Sequence, residues 1–109
     1  MQFYPAQGDI VYLNFNPQAG HEQDGRRPSL VISNNQFHVR TNLVIVCPIS
    51  NSNNSFPMHV PLDEKTRTTG FIRCEQIKAL DGNARDISYI ERVPQNILEN
   101  VLKIISACF

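Results

Sequence analysis

The order of apolar and polar residues predicts a row of short β-strands over most of the chain. Residues 9–15 alternate, which places two sets of side chains on opposite faces of one strand: Val11, Leu13 and Phe15 against Ile10, Tyr12 and Asn14. Runs rich in β-branched residues predict further strands at residues 29–33, 43–47, 70–77 and 87–93. Residues 56–62 contain two prolines, so this segment is at most an edge strand.

Near the end of the chain, the spacing of the apolar residues changes. Apolar residues recur at steps of three and four positions: Ile97, Leu98, Val101, Leu102, Ile105, Cys108 and Phe109. This spacing forms one face of a helix, and Pro94 is suited to be its first residue. Short strands followed by one terminal helix predict a mainly β protein with α, a small antiparallel β-barrel with a C-terminal helix. A length of 109 residues fits a single domain over residues 1–109.

The segments between these elements carry loop and turn residues. The polar segment 21–28, bordered by Gly20 and containing Gly25, is predicted to be a mobile loop. Residues 34–41 form a turn or a short helix, residues 51–55 form a loop, and residues 81–83 carry a turn signal before the last strand.

Composition narrows the class of protein. No run of about 18 or more apolar residues exists, so no membrane span is predicted. The first residues lack the basic and apolar parts of a secretory signal, and we therefore expect a cytoplasmic protein. Cys47, Cys74 and Cys108 have neither C-x-x-C spacing nor a histidine at zinc-finger distance. They are interpreted as buried thiols, and neither a metal nor a cofactor is expected.

The charge pattern leaves two interpretations open. The formal net charge is zero, which argues against a protein that holds nucleic acid by electrostatic attraction alone. However, residues 25–62 contain no Asp or Glu, while Arg26, Arg27 and Arg40 lie there with His38 and His59. Either one face is basic in a neutral molecule or the positive charges are scattered at random.

Two blocks of sequence resemble the PemK/MazF family of toxins. The first is GHEQDGRRP at residues 20–28, preceded by GDIV at 8–11 and NP at 16–17 and followed by LVIS at 30–33. The second, RTTGFIRCEQ at residues 67–76, resembles the catalytic strand of the Kid/PemK branch, as does ERVP at 91–94. The likeness covers nearly the whole chain.

This resemblance implies an SH3-like barrel, a homodimer and sequence-selective cleavage of single-stranded RNA. It also implies inhibition by a cognate antitoxin whose acidic tail occupies the RNA groove, with operator DNA bound only through the antitoxin. The chain departs from the pattern at Glu75, where the branch has aspartate, and at Ser50, where threonine is frequent. Both changes keep the functional group, but the extra methylene of Glu75 shifts its carboxylate by about one bond length.

Arg73 and Glu75 are the main candidates for catalysis. RNA cleavage through the 2′-OH needs a base, an acid and positive charge at the phosphorus. The two residues lie two positions apart on a predicted strand, which places them on one face with roughly 6.6 Å of rise between them. Glu75 is the candidate base, and the planar fork of Arg73 suits two phosphate oxygens.

The proton donor to the 5′-oxygen is either Arg73 or His21. A guanidinium with a pKa above about 12 is a poor acid at neutral pH, which favours His21, whereas the resemblance assigns the arginine as acid and the histidine as stabiliser. Arg27 is expected to contact the phosphate chain or the transition state, and Glu22 and Gln23 to position His21 or contact a base edge. By the resemblance, the RNA groove is lined by Ser50, Ser52, Phe56, Thr69 and Gln76. His38 and His59 are given no role.

Other functions and ordinary structural roles compete with this interpretation. An Arg and a Glu two apart on a strand usually form a surface ion pair, and a loop histidine is usually solvated. On the same fold, gyrase poisons bind a topoisomerase and cleave nothing, but their action resides in a C-terminal Trp, and this chain contains no Trp. A non-catalytic nucleic-acid-binding module is the third alternative, and turnover of RNA separates the three.

Overall fold

A computed structural model describes residues 5–14, 26–51, 58–81 and 86–109. Strand bounds over these residues are β1 Asp9–Asn14, β2 Arg26–Val31, β3 Leu43–Ser50, β4 His59–Pro61, β5 Phe71–Arg73, β6 Lys78–Asp81 and β7 Ser88–Arg92. The helices are α1 Asn35–Thr41 and α2 Gln95–Ala107, and a short 3₁₀ helix spans Cys74–Gln76. The prediction of a mainly β protein with a C-terminal helix is confirmed.

The strands pair antiparallel in the order β4-β5-β3-β2-β1-β7, and β6 pairs with β3 beside this path. Among the described strands β3 is the longest and has three partners: β6 pairs with its first part, β2 with its middle and β5 with its end. β4 lies at one end of the order, in agreement with the edge strand predicted from its prolines. In the described part of the chain the sheet is not closed, so the predicted barrel is an open, antiparallel one.

Two apolar clusters share β1. Ile10 packs in a cluster with Leu30, Ile72 and α2, whereas Val11 and Leu13 pack in a second cluster. Consecutive residues of a strand face opposite sides of a sheet, so both faces of β1 are covered at Ile10 and Val11, while Tyr12 is exposed. The register between β1 and β7 shifts between Ile10 and Val11. The alternation predicted for this segment is therefore confirmed in its described part, although both faces are apolar.

The C-terminal helix packs on the first cluster through Ile97, Leu98 and Val101, as its three- and four-residue spacing predicts. Pro94 is the N-cap of α2 and not its first helical residue. Cys47 and Cys74 are buried, but Cys108 is exposed, because it caps the end of α2, where the last four residues of the chain are exposed; the prediction of three buried thiols is wrong for Cys108. No helix in the described ranges is long and apolar enough to span a membrane.

Two further boundaries differ from the predictions. Arg26–Pro28 belong to β2 and not to a loop, because they pair with Asn14, Leu13 and Tyr12 of β1. The Arg26 guanidinium lies 4.8 Å from the centre of the Tyr12 ring and pairs with Asp86 at 2.8 Å, contacts that favour an extended, half-buried position. The predicted strand 70–77 ends at Arg73, where the 3₁₀ helix begins. Phe15, Phe56 and residues 82–83 of the predicted turn lie outside the described residues.

Gly70 allows β5 to approach the end of β3. Its φ is +120°, and a Cβ atom added there would lie 2.6 Å from the carbonyl oxygen of Ser50. Its own carbonyl accepts the Leu62 amide at 2.9 Å, which closes the β4–β5 hairpin. A side chain at residue 70 would therefore strain the backbone and displace Ser50.

Glu91 of β7 holds the far end of the β4–β5 loop. Its carboxylate accepts the Thr68 amide and the Thr68 hydroxyl, both at 2.7 Å, and the Arg67 amide at 3.1 Å. Burial raises the pKa of Glu91, but the hydrogen bonds from Thr68 and Arg67 and the Arg67 charge outweigh burial and hold that pKa below its ordinary value of 4.5. The loop that leads into β5 is thus fixed by an ionised side chain.

We predict that Gly70→Ala lowers the free energy of unfolding by about 1–3 kcal/mol, because a side chain at this φ is strained and meets backbone atoms. Gly8→Ala is the matched control, since Gly8 has a φ of +97° but its added Cβ would meet only the movable end of Arg92. Urea unfolding should show a larger loss of unfolding free energy for Gly70→Ala than for Gly8→Ala. Amide NMR spectra should show a shifted Ser50 resonance only in Gly70→Ala. Equal losses and an unmoved Ser50 would contradict the close approach.

We predict that Glu91→Gln lowers the free energy of unfolding by about 1 kcal/mol near neutral pH, since a half-exposed charged acceptor is lost. A lowered folded-state pKa stabilises the protein above the unfolded pKa, and that stability is lost as the pH falls through the folded value. The difference in free energy of unfolding between wild type and Glu91→Gln should therefore shrink below pH 4.5. Glu64 is exposed in the same loop, so Glu64→Gln should have the same free energy of unfolding as wild type both near neutral pH and in acid. A gap of constant size in acid would contradict this role.

Candidate active site

The β4–β5 hairpin places Arg73 and His59 opposite each other. The register pairs His59 with Arg73, Val60 with Ile72 and Pro61 with Phe71. Val60 and Ile72 face the core, so Arg73 and His59 share the opposite face of the sheet. Ser50 of β3 pairs with Phe71 and therefore lies on that same face.

The Arg73 guanidinium is held by its neighbours on this face. Its Nε donates to Ser50 Oγ at 2.6 Å, and its NH1 lies 3.5 Å from His59 Nε2 and 4.0 Å from Glu75 Oε2. Only 10% of the Arg73 side chain is exposed. A guanidinium at this depth needs polar partners, and Ser50 and Glu75 supply an acceptor and an opposite charge.

Glu75 reaches Arg73 by a turn of the chain and not by strand alternation. The prediction that both residues lie on one strand is wrong, since Glu75 is the middle residue of the 3₁₀ helix. Cys74 between them is 2% exposed and packs in the core, which leaves Arg73 and Glu75 on the outer side of the chain. The two side chains nevertheless converge, and a quarter of the Glu75 side chain is exposed to solvent.

Cys74 anchors this turn together with Cys47. Both belong to the first apolar cluster, and both are free thiols. The hydrogen bond with Cys74 and burial raise the pKa of the Cys47 thiol, so it stays protonated and unreactive. The thiols therefore pack the turn that carries Glu75.

His59 is a site residue that the sequence analysis left without a role. Its Nε2 lies 2.9 Å from Glu75 Oε2, and 3% of its side chain is exposed. The sequence offered one signal, namely that His59 lies three residues before Leu62, near the end of a hairpin strand. The register of that hairpin then places His59 opposite Arg73. His38, the other unassigned histidine, is fully buried and contacts Ser33 Oγ; desolvation by burial lowers its pKa, which fits a neutral structural role.

An apolar recess borders the carboxylate. It has a volume of about 210 Å³ and lies between the 3₁₀ helix and the end of α2, with Met58, Ile77, Ile105 and Phe109 beside Glu75. Phe109 is 91% exposed. The Glu75 side chain therefore contacts His59 and Arg73 on one side and opens to a solvent-accessible recess on another.

The structure brings together some of the predicted site residues. Ser50, Arg73 and Glu75 form one cluster with His59. Thr69 and Gln76 are exposed at the two ends of the same segment, next to Gly70 and at the end of the 3₁₀ helix. Arg27 is exposed on β2 opposite Leu13, and no hydrogen bond or ion pair joins it to the cluster within the described residues. His21, Glu22, Gln23, Ser52 and Phe56 lie outside the described residues.

The chemistry available at the cluster is acid–base and electrostatic. A carboxylate, an imidazole and a guanidinium lie within 4.0 Å of one another, and a hydroxyl orients the guanidinium. Such a set can remove a proton and stabilise an anionic transition state. Over the described ranges, no group of three or more His, Cys, Asp or Glu side chains is arranged to hold a metal ion.

Known proteins resemble this chain in sequence. The family described as PemK-like, MazF-like toxin of type II toxin-antitoxin system matches residues 6–109. The endoribonuclease PemK of Escherichia coli is 38% identical over 99 residues, which cover 87% of this chain and 74% of that protein. The endoribonuclease toxin ChpB of Escherichia coli K12 is 32% identical over 103 residues, which cover 87% of this chain and 85% of that protein.

Solved structures agree with the sequence comparison. The crystal structure of MazF from Deinococcus radiodurans superposes with a TM-score of 0.85 at 32% identity, covering 98% of this chain and 97% of that one. A MazE–MazF structure from the same organism gives a TM-score of 0.84 at 25% identity, with 98% and 96% of the two chains covered. The chain therefore belongs to the PemK-like, MazF-like family of toxins from type II toxin–antitoxin systems.

Proposed function

We propose that this protein is a metal-independent endoribonuclease that cleaves single-stranded RNA at selected sequences. The observation that carries the proposal is the convergence of the Arg73 guanidinium and the Glu75 carboxylate, 4.0 Å apart, at the end of β5. The relatives PemK, MazF and ChpB are named endoribonucleases, which supports RNA as the substrate. The acid, base and charge of the reaction all come from side chains.

The reaction uses the 2′-OH of the RNA as its nucleophile. Glu75 removes the proton of that hydroxyl, and the 2′-oxygen forms a bond to phosphorus while the bond from phosphorus to the 5′-oxygen breaks. The 5′-oxygen receives a proton, so the products are a 2′,3′-cyclic phosphate and a 5′-OH. A positioned base and acid contribute typically about 10²–10⁴-fold each to such a step.

Arg73 stabilises the negative charge that develops on the phosphorane. Ser50 holds its Nε at 2.6 Å, so the plane of the guanidinium is fixed before RNA binds. The proton donor to the 5′-oxygen is Arg73 or His21; the pKa of a free guanidinium, above about 12, favours His21. Arg27 supports the phosphate chain or the transition state.

The remaining predicted residues serve RNA binding. Glu22 and Gln23 position His21 or contact a base edge, and Ser50, Ser52, Thr69 and Gln76 line the groove. Phe56 stacks on a base, a contact worth about 1–3 kcal/mol. Thr69 and Gln76 are exposed on either side of the β5 segment that carries Arg73, a position consistent with this role.

The protein acts in the cytoplasm as a homodimer and is held inactive by its cognate antitoxin. MazF from Deinococcus radiodurans has been solved together with MazE, and a mycobacterial endoribonuclease of the same fold has been solved with its cognate antitoxin, which supports a protein inhibitor for this chain. An acidic tail of the antitoxin occupies the groove next to Arg73, where its carboxylates replace the RNA phosphates. Operator DNA is bound only through the antitoxin.

We predict that the purified protein cuts unstructured RNA in excess chelator and leaves 2′,3′-cyclic phosphate and 5′-OH ends, because the Arg73 and Glu75 side chains supply the chemistry. Mass spectrometry of the fragments measures the ends. The matched control is the same strand with a single 2′-deoxy sugar at the cut step, which should survive because it lacks the nucleophile. Equal cleavage of the two strands, or loss of activity in chelator, would contradict the proposed function.

A further inference from the structure

His59 occupies an unusual position for a histidine of the site. Its imidazole is 3% exposed, so it lies beneath the surface that a substrate reaches. Its Nε2 is nevertheless 2.9 Å from Glu75 Oε2, the shortest contact of that carboxylate among the described residues. An imidazole in this place acts on the RNA through the side chains that it contacts, and its shortest contact with a site carboxylate is to Glu75.

Donor and acceptor roles follow from the chemistry of the groups. A general base must be ionised, and an ionised carboxylate only accepts hydrogen bonds. The proton of the short contact therefore belongs to His59 Nε2, which donates it to Oε2. This holds for the neutral imidazole protonated at Nε2 and for the cationic imidazole, since both carry a hydrogen on Nε2.

Arg73 approaches the same carboxylate oxygen. Its NH1 lies 4.0 Å from Glu75 Oε2 and 3.5 Å from His59 Nε2. Because NH1 and the protonated Nε2 are both donors, neither accepts from the other, and both face Oε2. Oε2 of Glu75 is thus held by the His59 hydrogen bond and lies near the Arg73 charge, while no hydrogen bond from the described residues reaches Oε1.

This asymmetry fixes the carboxylate for its reaction. A glutamate has three side-chain torsions, and a base must hold its reactive oxygen in a narrow range of positions before proton transfer. Holding Oε2 leaves Oε1 as the oxygen directed to the 2′-OH. Strand pairing makes the contact rigid, because His59 lies opposite Arg73 in the hairpin and Glu75 follows Arg73 by two residues.

We propose that His59 is a positioning residue that orients the Glu75 carboxylate so that Oε1 takes the proton of the 2′-OH. The inference rests on the proposed ribonuclease function. It assigns to His59 a task separate from that of His21, because His59 is buried and touches the base and not the RNA.

The test compares two substitutions of His59. His59→Leu keeps much of the volume but removes the donor, and it should lower kcat up to about 100-fold while KM changes little. His59→Gln places an amide N–H near the position of Nε2, and it should restore kcat to within about 3-fold of wild type. His38→Gln is the matched control for loss of a buried histidine: it should lower stability but leave kcat of the folded protein unchanged.

A double substitution distinguishes action through Glu75 from an independent role. If His59 acts only by holding Glu75, His59→Leu has no further effect on kcat in a Glu75→Ala background. A loss of the same factor in both backgrounds would overturn the proposal. Equal losses in His59→Leu and His59→Gln would overturn it too, because the donor would then not be what matters.

The proposal also has a readout that does not depend on activity. ¹⁵N NMR of the His59 ring should detect a proton on Nε2, with a resonance that shifts in Glu75→Ala. A ring without that proton at neutral pH would overturn the hydrogen bond. If wild-type protein cuts no RNA, the proposed function fails and this role with it; if wild type cuts and His59→Leu cuts equally fast, only the role of His59 fails.

Discussion

The close approach of β5 to the end of β3 is the constraint on which the site depends. Gly70 lacks the Cβ that would press on the Ser50 carbonyl, so Ser50 stands next to β5 and its hydroxyl reaches Arg73 Nε at 2.6 Å. The same strand brings Arg73 opposite His59 on β4. Three short pieces of backbone thereby fix a guanidinium, an imidazole and a hydroxyl on one face. At the other end of the loop, Glu91 ties Thr68 to β7 and keeps the hairpin in register.

The electrostatics of the site are local. A neutral chain cannot attract RNA by its total charge, and Arg73 is largely covered. A covered guanidinium interacts more strongly with a phosphate than an exposed one, because less water screens it. The cost of burying that charge is offset by Ser50 and by Glu75 at 4.0 Å. The prearranged groups of the cluster can therefore contact a phosphate although the chain has no net positive charge.

Local patterns in the sequence predicted the strands and helices well, but they predicted contacts between distant residues less well. Alternation in residues 9–15 and the spacing of Ile97, Leu98 and Val101 correspond to β1 and α2 because such patterns depend only on neighbours in the chain. The polar segment 21–28 with its glycines indicated a loop, but pairing with β1, which no local pattern contains, makes Arg26 and Arg27 part of a strand.

At the functional site, too, features encoded locally were predicted better than contacts between distant residues. The family resemblance identified Ser50, Arg73 and Glu75, which the structure brings into one cluster. Arg73 and Glu75 do not share one pleated strand as predicted, since β5 is only three residues long and a 3₁₀ helix begins at the buried Cys74. His59 was missed because its partner Glu75 is 16 residues away and the contact exists only in the folded hairpin.

In the proposed mechanism, Arg73 and Glu75 act together on one ribose-phosphate linkage. The most direct test measures single-turnover cleavage by Arg73→Ala, by Glu75→Ala and by the double variant, with circular dichroism to confirm folding and Arg40→Ala on α1 as an exposed control. Groups that act as a unit give a double variant about as slow as the slower single variant. We predict that result, with each single loss at least about 10²-fold. Losses that multiply in the double variant, or an Arg73→Ala rate within about 10-fold of wild type, would contradict the claim.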